Sequence, residues 1–300
     1  TNAEIDNCRR IVLQTIEKHQ PKLIVLFGNG ALYSLIGHRW KKDLGGITKW
    51  RGWQIPDQDF KCWICPTFHP SYVERSTDKV EDRIWEDDLR LAITKLNDPF
   101  PKYHKPKIEI IEDLSVLSNI KSDIVAIDYE TTGLKPQANG HRVVCVAVAD
   151  SLDHSYAFML PPSKNGRKPF TDLLGNIMIN KVAQNMKYED LWSSVRLRQP
   201  VQGWLWDTML ATHLLDNRTG ITGLKFQTYV QFGVVDYDSE VAPYLQAVNK
   251  DGNALNRIDQ LVKIPGGKEK LMYYCGLDTI HTYRLAMQQM ELIGYDALPF

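Results

Sequence analysis

The sequence lacks any imbalance of charge. Its 300 residues include 36 basic and 36 acidic side chains, so the formal net charge at pH 7 is zero. This balance excludes the strongly basic composition of a protein that coats nucleic acid without performing chemistry on it. A nucleic-acid enzyme remains compatible with it, because carboxylates gathered at a metal site offset basic residues elsewhere.

The cysteine spacing of a disulfide framework and long apolar runs are also missing. The five cysteines are odd in number and lack the spacing of small secreted scaffolds, which favours a reducing compartment without disulfides. No uncharged apolar stretch approaches the length needed to span a bilayer, and the N-terminus does not resemble a secretory signal. We therefore expect a soluble cytoplasmic protein without a membrane partner.

The length of the chain favours two domains, and a proline-rich segment marks the boundary between them. The strand Lys22–Phe27, the Gly28-Asn29-Gly30 turn and the helix Ala31–Ile36 predict an α/β unit before this segment. Three prolines within residues 99–106 predict a linker. The predicted divisions are residues 1–97, a linker at 98–106, and residues 107–300.

The segment after the linker has strands first and helices later, which predicts a mixed sheet covered by helices. The predicted strands are Ile108–Ile111, Ile124–Asp128, Val143–Ala149, Ser155–Met159 and Lys181–Gln184. Helices are predicted to begin near Met186, Thr208, Thr222 and Lys268. The polar, weakly patterned stretch Asp236–Gln260 is typical of a mobile loop.

Two carboxylates end the apolar run Ile124–Ile127. Asp128 and Glu130 are separated by one residue, so strand periodicity places both on one face. Adjacent carboxylates repel each other and are costly to desolvate, which favours a neutralising Mg²⁺ or Mn²⁺ ion. Taken alone, an Asp-x-Glu pair is more often an ordinary solvated strand end.

Two further segments extend this pattern. Asn185 and Glu189 lie where a predicted strand passes into a helix, and Tyr274 precedes Asp278 by four residues, on one helical face. In order and content the three segments resemble the motifs of the DEDDy 3′-5′ exonucleases, and most of all the proofreading domain of the DNA polymerase I family. The resemblance covers residues 107–290 and implies a ribonuclease-H-like fold.

The resemblance also implies a role for each motif residue. Asp128, Glu130 and Asp278 would bind one metal ion, while Asp128 and Glu189 would bind a second, so the expected cofactors are two Mg²⁺ or Mn²⁺ ions. Tyr274 would orient the attacking water. Thr131, Leu134, Gln184 and Asn185 match positions that contact the terminal nucleotide, although for Leu134 packing of the turn is an equal alternative. The expected substrate is a single-stranded or frayed DNA 3′ end.

The second motif departs from the family, which has aspartate where this chain has Glu189 followed by Asp190. Tyr188, Leu191, Trp192 and Val195 have the spacing of a buried helical stripe, and Glu189 lies nearer its edge than Asp190 does. We therefore expect Glu189 to face the metals and Asp190 to face solvent.

Residues 1–97 resemble the C-terminal half of a family 4 uracil-DNA glycosylase, through the Gly28-Asn29-Gly30 turn and the His69-Pro70-Ser71 element. By this resemblance His69 would be a relic of base recognition, although for the histidine alone a role in packing the loop is an equal alternative. Cys8 matches one ligand of that family's iron–sulfur cluster, but one thiolate cannot hold a cluster, so none is expected. Cys62 and Cys65 are predicted to be buried core residues rather than metal ligands.

A glycosylase-like segment followed by an exonuclease resembles the front end of phage-type family A polymerases. This implies a polymerase domain or subunit as partner, a proofreading role, and a host cytoplasm if a phage encodes the protein. Two alternatives remain open. One is an exonuclease fold whose metal site has decayed and which only positions DNA or a polymerase, and the other is an RNA 3′-end trimming exonuclease, which shares these motifs.

Overall fold

The computed structural model describes residues 2–40, 42–249 and 251–295. The chain forms two compact units, one made of Thr1–Tyr103 with Arg218–Asp236 and the other of His104–Asn217 with Tyr237–Phe300. Segment 218–236 thus belongs to the first unit, whereas a single break at the predicted linker 98–106 would leave it in the second.

Helices and strands alternate through both units. The helices of the described residues are α1 (Asn2–His19), α2 (Gly28–Leu32), α3 (Ile47–Trp50), α4 (Pro70–Arg75), α5 (Lys79–Thr94), α6 (Lys168–Gly175), α7 (Met186–Trp192), α8 (Thr208–Leu215), α9 (Leu224–Phe232), α10 (Ala242–Leu245), α11 (Ile258–Leu261) and α12 (Gly267–Ile293). The strands are β1 (Leu23–Phe27), β2 (Ile55–Asp57), β3 (Cys62–Thr67), β4 (Lys107–Ile110), β5 (Ile124–Thr131), β6 (Val143–Ala149), β7 (His154–Met159), β8 (Asn180–Ala183) and β9 (Trp204–Asp207).

The first unit is built on a three-stranded sheet of order β1-β3-β2, in which β1 runs parallel and β2 antiparallel to β3. The predicted α/β character of this unit is present, but Gly28-Asn29-Gly30, predicted as a turn, forms the beginning of α2. Four aromatic rings from Trp40, Trp50, Phe226 and Tyr229 pack together in its core, with the Trp40 and Trp50 ring centroids 5.3 Å apart. These rings join α9 to the rest of the unit.

A buried ion pair also holds α9 in the first unit. Asp57 is fully buried and pairs with the Arg39 guanidinium, while the Tyr229 hydroxyl donates a hydrogen bond of 2.8 Å to Asp57 Oδ2. Burial alone would lower the pKa of Arg39, but Tyr229, Asp57 and Asp59 together raise it above its usual value. The desolvated charges of this pair are therefore compensated.

The second unit contains a six-stranded mixed sheet of order β4-β7-β6-β5-β8-β9. The pairs β4–β7, β5–β8 and β8–β9 are parallel, and the pairs β5–β6 and β6–β7 are antiparallel. Alternate residues of β5 face opposite layers. Val125, Ile127 and Tyr129 pack against α6 and α7, while Ala126 faces the core formed with α12. The sheet is therefore covered on both faces, as the order of predicted elements indicated.

Helix α12 approaches the sheet closely because a glycine lies at the contact. A Cβ atom built on Gly276 would lie 2.5 Å from Cγ2 of Ile108 on β4, closer than two carbon atoms can approach. The close contact places Tyr274, Cys275 and Asp278 near the face of the sheet.

The structure differs from two local predictions. Strand β9 was not predicted, and the stretch Asp236–Gln260, predicted as a mobile loop, contains the short helix α10 and the beginning of α11. A 3-10 helix at Leu114–Asn119 lies between β4 and β5. Helix α7 passes into a π-helical turn at Ser193–Leu197, which rotates the following side chains.

The buried face of this helix differs from the predicted stripe. Trp192 is buried as expected, but Leu191 and Val195 are exposed, whereas Ser193 and Leu197 are buried. Glu189 is 3% exposed and thus lies within the buried face rather than near its edge.

The architecture is a mixed α/β fold in which helices flank a mixed sheet, and the predicted fold class is confirmed. The helices of the described residues include none that is both long and apolar enough to cross a membrane.

Candidate active site

Strand β5 carries the first two acidic residues of the candidate site. Its parallel register with β8 runs from Ile124 to Ala126, and Asp128 and Glu130 follow beyond this stretch. Both face the α12 side of the sheet, opposite Ala147 and Cys145 of β6. The two carboxylates thus lie near the carboxyl end of a parallel strand pair, where α/β sheets commonly bind ligands.

A thiol lies beside these carboxylates. Ligand atoms of Asp128, Glu130 and Cys275 lie within 4.8 Å of one another, a separation that one metal ion can bridge. The Cys275 thiol contacts Asp128 Oδ2 at 3.5 Å and the Asp128 carbonyl oxygen at 3.6 Å. Burial, followed by the neighbouring Cys145 and the two carboxylates, raises the pKa of Cys275 well above its usual value.

Glu189 on α7 adds a third carboxylate. Its side chain is 3% exposed, and among the described residues no hydrogen-bond donor reaches its Oε2 atom. Burial, followed by the charge of Asp128, raises the pKa of Glu189 well above the usual carboxyl value. A buried, unsatisfied carboxylate oxygen near another carboxylate is costly without a cation, so these residues fit a divalent metal site.

Asp190 has different surroundings. It is half-buried, and its Oδ1 atom accepts hydrogen bonds from the Val201 backbone N–H at 3.3 Å and the Trp204 indole N–H at 3.2 Å. The expectation that Asp190 faces solvent was wrong, because the approach to β9 covers it. Its carboxylate stabilises the entry into β9.

Helix α12 supplies Tyr274 and Asp278, one turn apart and 8% and 6% exposed. The Tyr237 hydroxyl donates a hydrogen bond of 2.7 Å to Asp278 Oδ1, and the Tyr237 ring centroid lies 6.3 Å from that of Tyr274. Burial, followed by the charges of Asp278 and Glu130, raises the pKa of Tyr274 well above its usual value. The Tyr274 phenol is therefore a protonated hydrogen-bonding group rather than a base.

The turn between β8 and α7 is held by Asp207. Asn185 adopts a left-handed conformation there, with φ 69° and ψ 56°. The Asp207 carboxylate accepts hydrogen bonds from the backbone N–H groups of Asn185 at 3.1 Å and Met186 at 3.0 Å, and it also caps the N-terminus of α8. Asp207 thus has a structural role, because it satisfies backbone N–H groups at the beginnings of two helices.

Comparison with known families identifies the second unit's chemistry. Residues 107–292, more than half of the chain, match the family model described as 3′-5′ exonuclease. The chain belongs to the 3′-5′ exonuclease family. Residues 1–89 match the model of the uracil DNA glycosylase superfamily, as the His69 element indicated. No curated protein matches the chain at a significant level.

Solved structures that resemble the exonuclease include Brucella melitensis NrnC, with 20% identity and a TM-score of 0.47 over 64% of this chain and 84% of that chain. The catalytic core of RRP6 from Trypanosoma brucei has 11% identity and a TM-score of 0.46 over 63% of this chain and 47% of that chain. Escherichia coli RNase D, described as an exoribonuclease involved in structured RNA processing, has 16% identity and a TM-score of 0.44 over 64% of this chain and 47% of that chain.

The predicted substrate contacts of the exonuclease have contrasting surroundings. Leu134 is 66% exposed, at the surface of the loop that follows β5. Thr131 is buried, and its hydroxyl donates to the Gly133 carbonyl at 2.8 Å and lies 2.6 Å from the Tyr188 hydroxyl. Gln184 Oε1 accepts a hydrogen bond of 2.6 Å from Thr208.

Sequence reasoning missed Tyr237 and Cys275. Tyr237 lies in the weakly patterned stretch after α9, where no motif or periodicity distinguishes it. Cys275 directly follows Tyr274 in the third motif. This position beside a motif residue was the feature of the sequence that could have identified Cys275. The contact of each with a motif carboxylate is visible only in the fold.

In the first unit, His69 caps the N-terminus of α4 by accepting a hydrogen bond of 3.2 Å from the Ser71 N–H. A Cβ atom on Gly28, whose φ is +75°, would lie 3.0 Å from the His69 Cβ atom. Glycine therefore lets the first residue of α2 pack against His69. Cys62 and Cys65 are buried as predicted, and burial raises the pKa of each thiol to about 12. Cys8 is exposed.

Proposed function

We propose that the second unit hydrolyses DNA from its 3′ ends and releases nucleoside monophosphates. The observation that carries the proposal is the pair of carboxylates Asp128 and Glu130 on β5, near which the buried Glu189 of α7 has an oxygen without a hydrogen-bond donor among the described residues. Such a concentration of buried carboxylates is costly without cations. Membership of the 3′-5′ exonuclease family supports the same reaction.

Divalent metals fit this donor set because the carboxylates offer hard oxygen ligands. Asp128, Glu130 and Asp278 would hold one ion, and Asp128 with Glu189 a second. When bound, such a metal pair supplies a nucleophile at neutral pH and stabilises the leaving oxygen of an in-line displacement. The resulting charge compensation removes the cost of burying these side chains together.

The protein's own groups position the reactants. The protonated Tyr274 phenol donates a hydrogen bond that orients the attacking water, and the Tyr237 hydroxyl fixes one oxygen of Asp278. Leu134 is exposed and would offer an apolar surface to the terminal base, and Gln184 and Asn185 would contact its sugar and phosphate. Apolar contacts of this kind accept any base, so hydrolysis proceeds without sequence preference.

DNA is the substrate we favour over RNA. The matched family model is named for the exonuclease of DNA polymerase A, and a segment similar to uracil DNA glycosylases precedes it. Both segments of this chain thus match families that are named for DNA. We further propose that the exonuclease proofreads for a family A polymerase domain or subunit in the cytoplasm, a host's cytoplasm if a phage encodes it. An RNA-trimming enzyme and an inactive DNA-positioning module remain the competing hypotheses.

Parallel digestion distinguishes these hypotheses. We expect single-stranded DNA labelled at its 5′ end to shorten stepwise in Mg²⁺ or Mn²⁺, with no cleavage in EDTA and slower cleavage of RNA of the same sequence. Asp128→Ala should abolish cleavage, while Asp172→Asn, an exposed acid on α6, should cleave at the parent rate. Faster cleavage of RNA would identify the trimming enzyme, and DNA binding without cleavage would identify the inactive module.

A further inference from the structure

Cys275 is a sulfur atom in a site that otherwise offers oxygen. Its side chain is fully buried, and its Sγ atom lies 3.5 Å from Asp128 Oδ2 and within 4.8 Å of the ligand atoms of both Asp128 and Glu130. Zinc bonds of about 2.3 Å to sulfur and about 2.0 Å to oxygen place the two ligand atoms roughly 3.5 Å apart at a tetrahedral angle. The observed Sγ–Oδ2 separation therefore matches that of two ligand atoms on one tetrahedral ion.

Glu189 is a further buried carboxylate in the surroundings of Asp128. Its Oε2 atom is buried and lacks a hydrogen-bond donor among the described residues, and its side chain is close enough to Asp128 for that charge to shift its pKa. Glu189 lies on α7 and is outside the group of ligand atoms that lie within 4.8 Å of one another, whereas Cys275 on α12 belongs to that group with Asp128 and Glu130 of β5.

We infer that Asp128, Glu130 and Cys275 form a mixed oxygen–sulfur site for a thiophilic divalent cation, Zn²⁺ or Cd²⁺. Mg²⁺ and Mn²⁺ prefer oxygen and gain little from the thiol, whereas Zn²⁺ and Cd²⁺ bind thiolate strongly. The inference rests on the proposed function only in that the same carboxylates serve the exonuclease. Thiophilic ions then compete with Mg²⁺ and inhibit hydrolysis.

Binding changes one covalent bond of the protein. The Cys275 S–H bond breaks, its proton passes to solvent, and the sulfur electron pair forms the bond to the metal. No electron is transferred, so neither an oxidant nor a reductant is needed. The carboxylates of Asp128 and Glu130 complete the site without further proton transfer.

Cadmium titration of the metal-free protein tests the inference without nucleic acid. A Cd²⁺–thiolate bond absorbs in the ultraviolet by charge transfer, and Cys8→Ser serves as the parent because Cys8 is the exposed thiol of the chain. We expect one equivalent of Cd²⁺ to produce the band in this parent. The band should disappear in the additional variants Cys275→Ser and Cys275→Ala, and it should persist in Cys145→Ser.

Asp128→Asn provides a test that leaves every thiol of the site in place. We expect it to weaken Cd²⁺ binding on the order of tenfold or more, because it removes one charged ligand. Loss of the band in Cys145→Ser but not in Cys275→Ser, or unchanged Cd²⁺ affinity in Asp128→Asn, would overturn the inference. Circular dichroism confirms that each variant is folded.

Inhibition by Zn²⁺ gives a second readout. With each rate normalised to the same variant's rate in Mg²⁺, the Zn²⁺ concentration for half-inhibition should rise on the order of tenfold in Cys275→Ser. Equal Zn²⁺ sensitivity of parent and variant would contradict the site. If the parent shows the cadmium band but does not hydrolyse DNA, the metal site stands and the proposed exonuclease function fails.

Discussion

Glu189 and Asp190 are neighbours in sequence, but their carboxylates serve different parts of the molecule. The motif alone left the choice between them open, and the helical stripe used to decide it was partly wrong, since Leu191 and Val195 are exposed. The fold offers a more direct criterion. Asp190 accepts two hydrogen bonds near β9, whereas Glu189 Oε2 has no donor within the described part of the chain, and the charge of Asp128 affects its pKa.

These surroundings predict opposite outcomes for two conservative substitutions. Glu189→Gln should lower kcat/KM at limiting Mn²⁺ on the order of tenfold or more, because it removes the charge that we propose binds the second metal. Asp190→Asn should stay near the parent rate, since an amide oxygen can still accept from Val201 and Trp204. Measuring both rates across a Mn²⁺ titration checks this. A severe defect in Asp190→Asn with a healthy Glu189→Gln would reverse the assignment.

Tyr237 is a positioning residue for Asp278. Its hydroxyl fixes Asp278 Oδ1 at 2.7 Å, which directs the other carboxylate oxygen. Tyr237→Phe should therefore raise the Mg²⁺ concentration for half-maximal hydrolysis on the order of tenfold, with a smaller change in kcat at saturating metal. Tyr156→Phe, which alters a half-buried tyrosine on β7, is the control. Equal loss at limiting and saturating Mg²⁺ would indicate a purely structural role.

At the scale of elements, the sequence predicted those helices and strands whose residues show a regular local pattern of polar and apolar side chains. Strand β6 has its predicted bounds, and β5 continues to Thr131, three residues beyond Asp128, because its alternating side chains serve two cores. The π-helical turn after α7 was not predictable from periodicity, since a helical pattern assumes a constant rotation per residue. The short strand β9 was missed because its two tryptophans and one acid do not alternate in polarity.

Asp207 joins three elements, since it ends β9, caps α8 and holds the turn before α7. Asp207→Ala leaves backbone N–H groups of both helices without this acceptor, and we expect the free energy of unfolding to fall by about 2 kcal/mol. Asp207→Asn should lose less, because its amide oxygen still accepts hydrogen bonds. Urea unfolding of the three proteins measures the difference. Equal stability of parent and Asp207→Ala would contradict this role.

At the scale of the whole molecule, the least predictable feature is the path of the chain. The proline-rich linker was visible in the sequence, but the return of 218–236 to the first unit was not. Phe226 and Tyr229 have an ordinary helical spacing that does not specify which aromatic rings they will meet. Their partners Trp40 and Trp50 lie far away in sequence, and such pairings arise from tertiary packing alone.

The acidic site links the stability of the second unit to pH and to metal. Because the pKa of Glu189 is raised in the fold, the metal-free folded state binds a proton more tightly than the unfolded chain does. The stability contributed by the proton on Glu189 is fully present below the unfolded carboxyl pKa of about 4.3. It is lost as pH rises through the pKa that Glu189 has in the folded state. The metal-free protein should therefore lose stability as pH rises.

Bound metal compensates the Glu189 charge, so the increase in melting temperature on adding Mn²⁺ should grow with pH. Glu189→Gln cannot ionise at this position, and we expect it to show a weaker dependence of metal-free stability on pH and a smaller gain from Mn²⁺. Thermal unfolding from about pH 5 to about pH 8, the range in which most proteins are most stable, provides the measurement. Asp172→Asn, altered at an exposed acid, should follow the parent. An unchanged pH dependence in Glu189→Gln would show that Glu189 is not the group that links stability to metal.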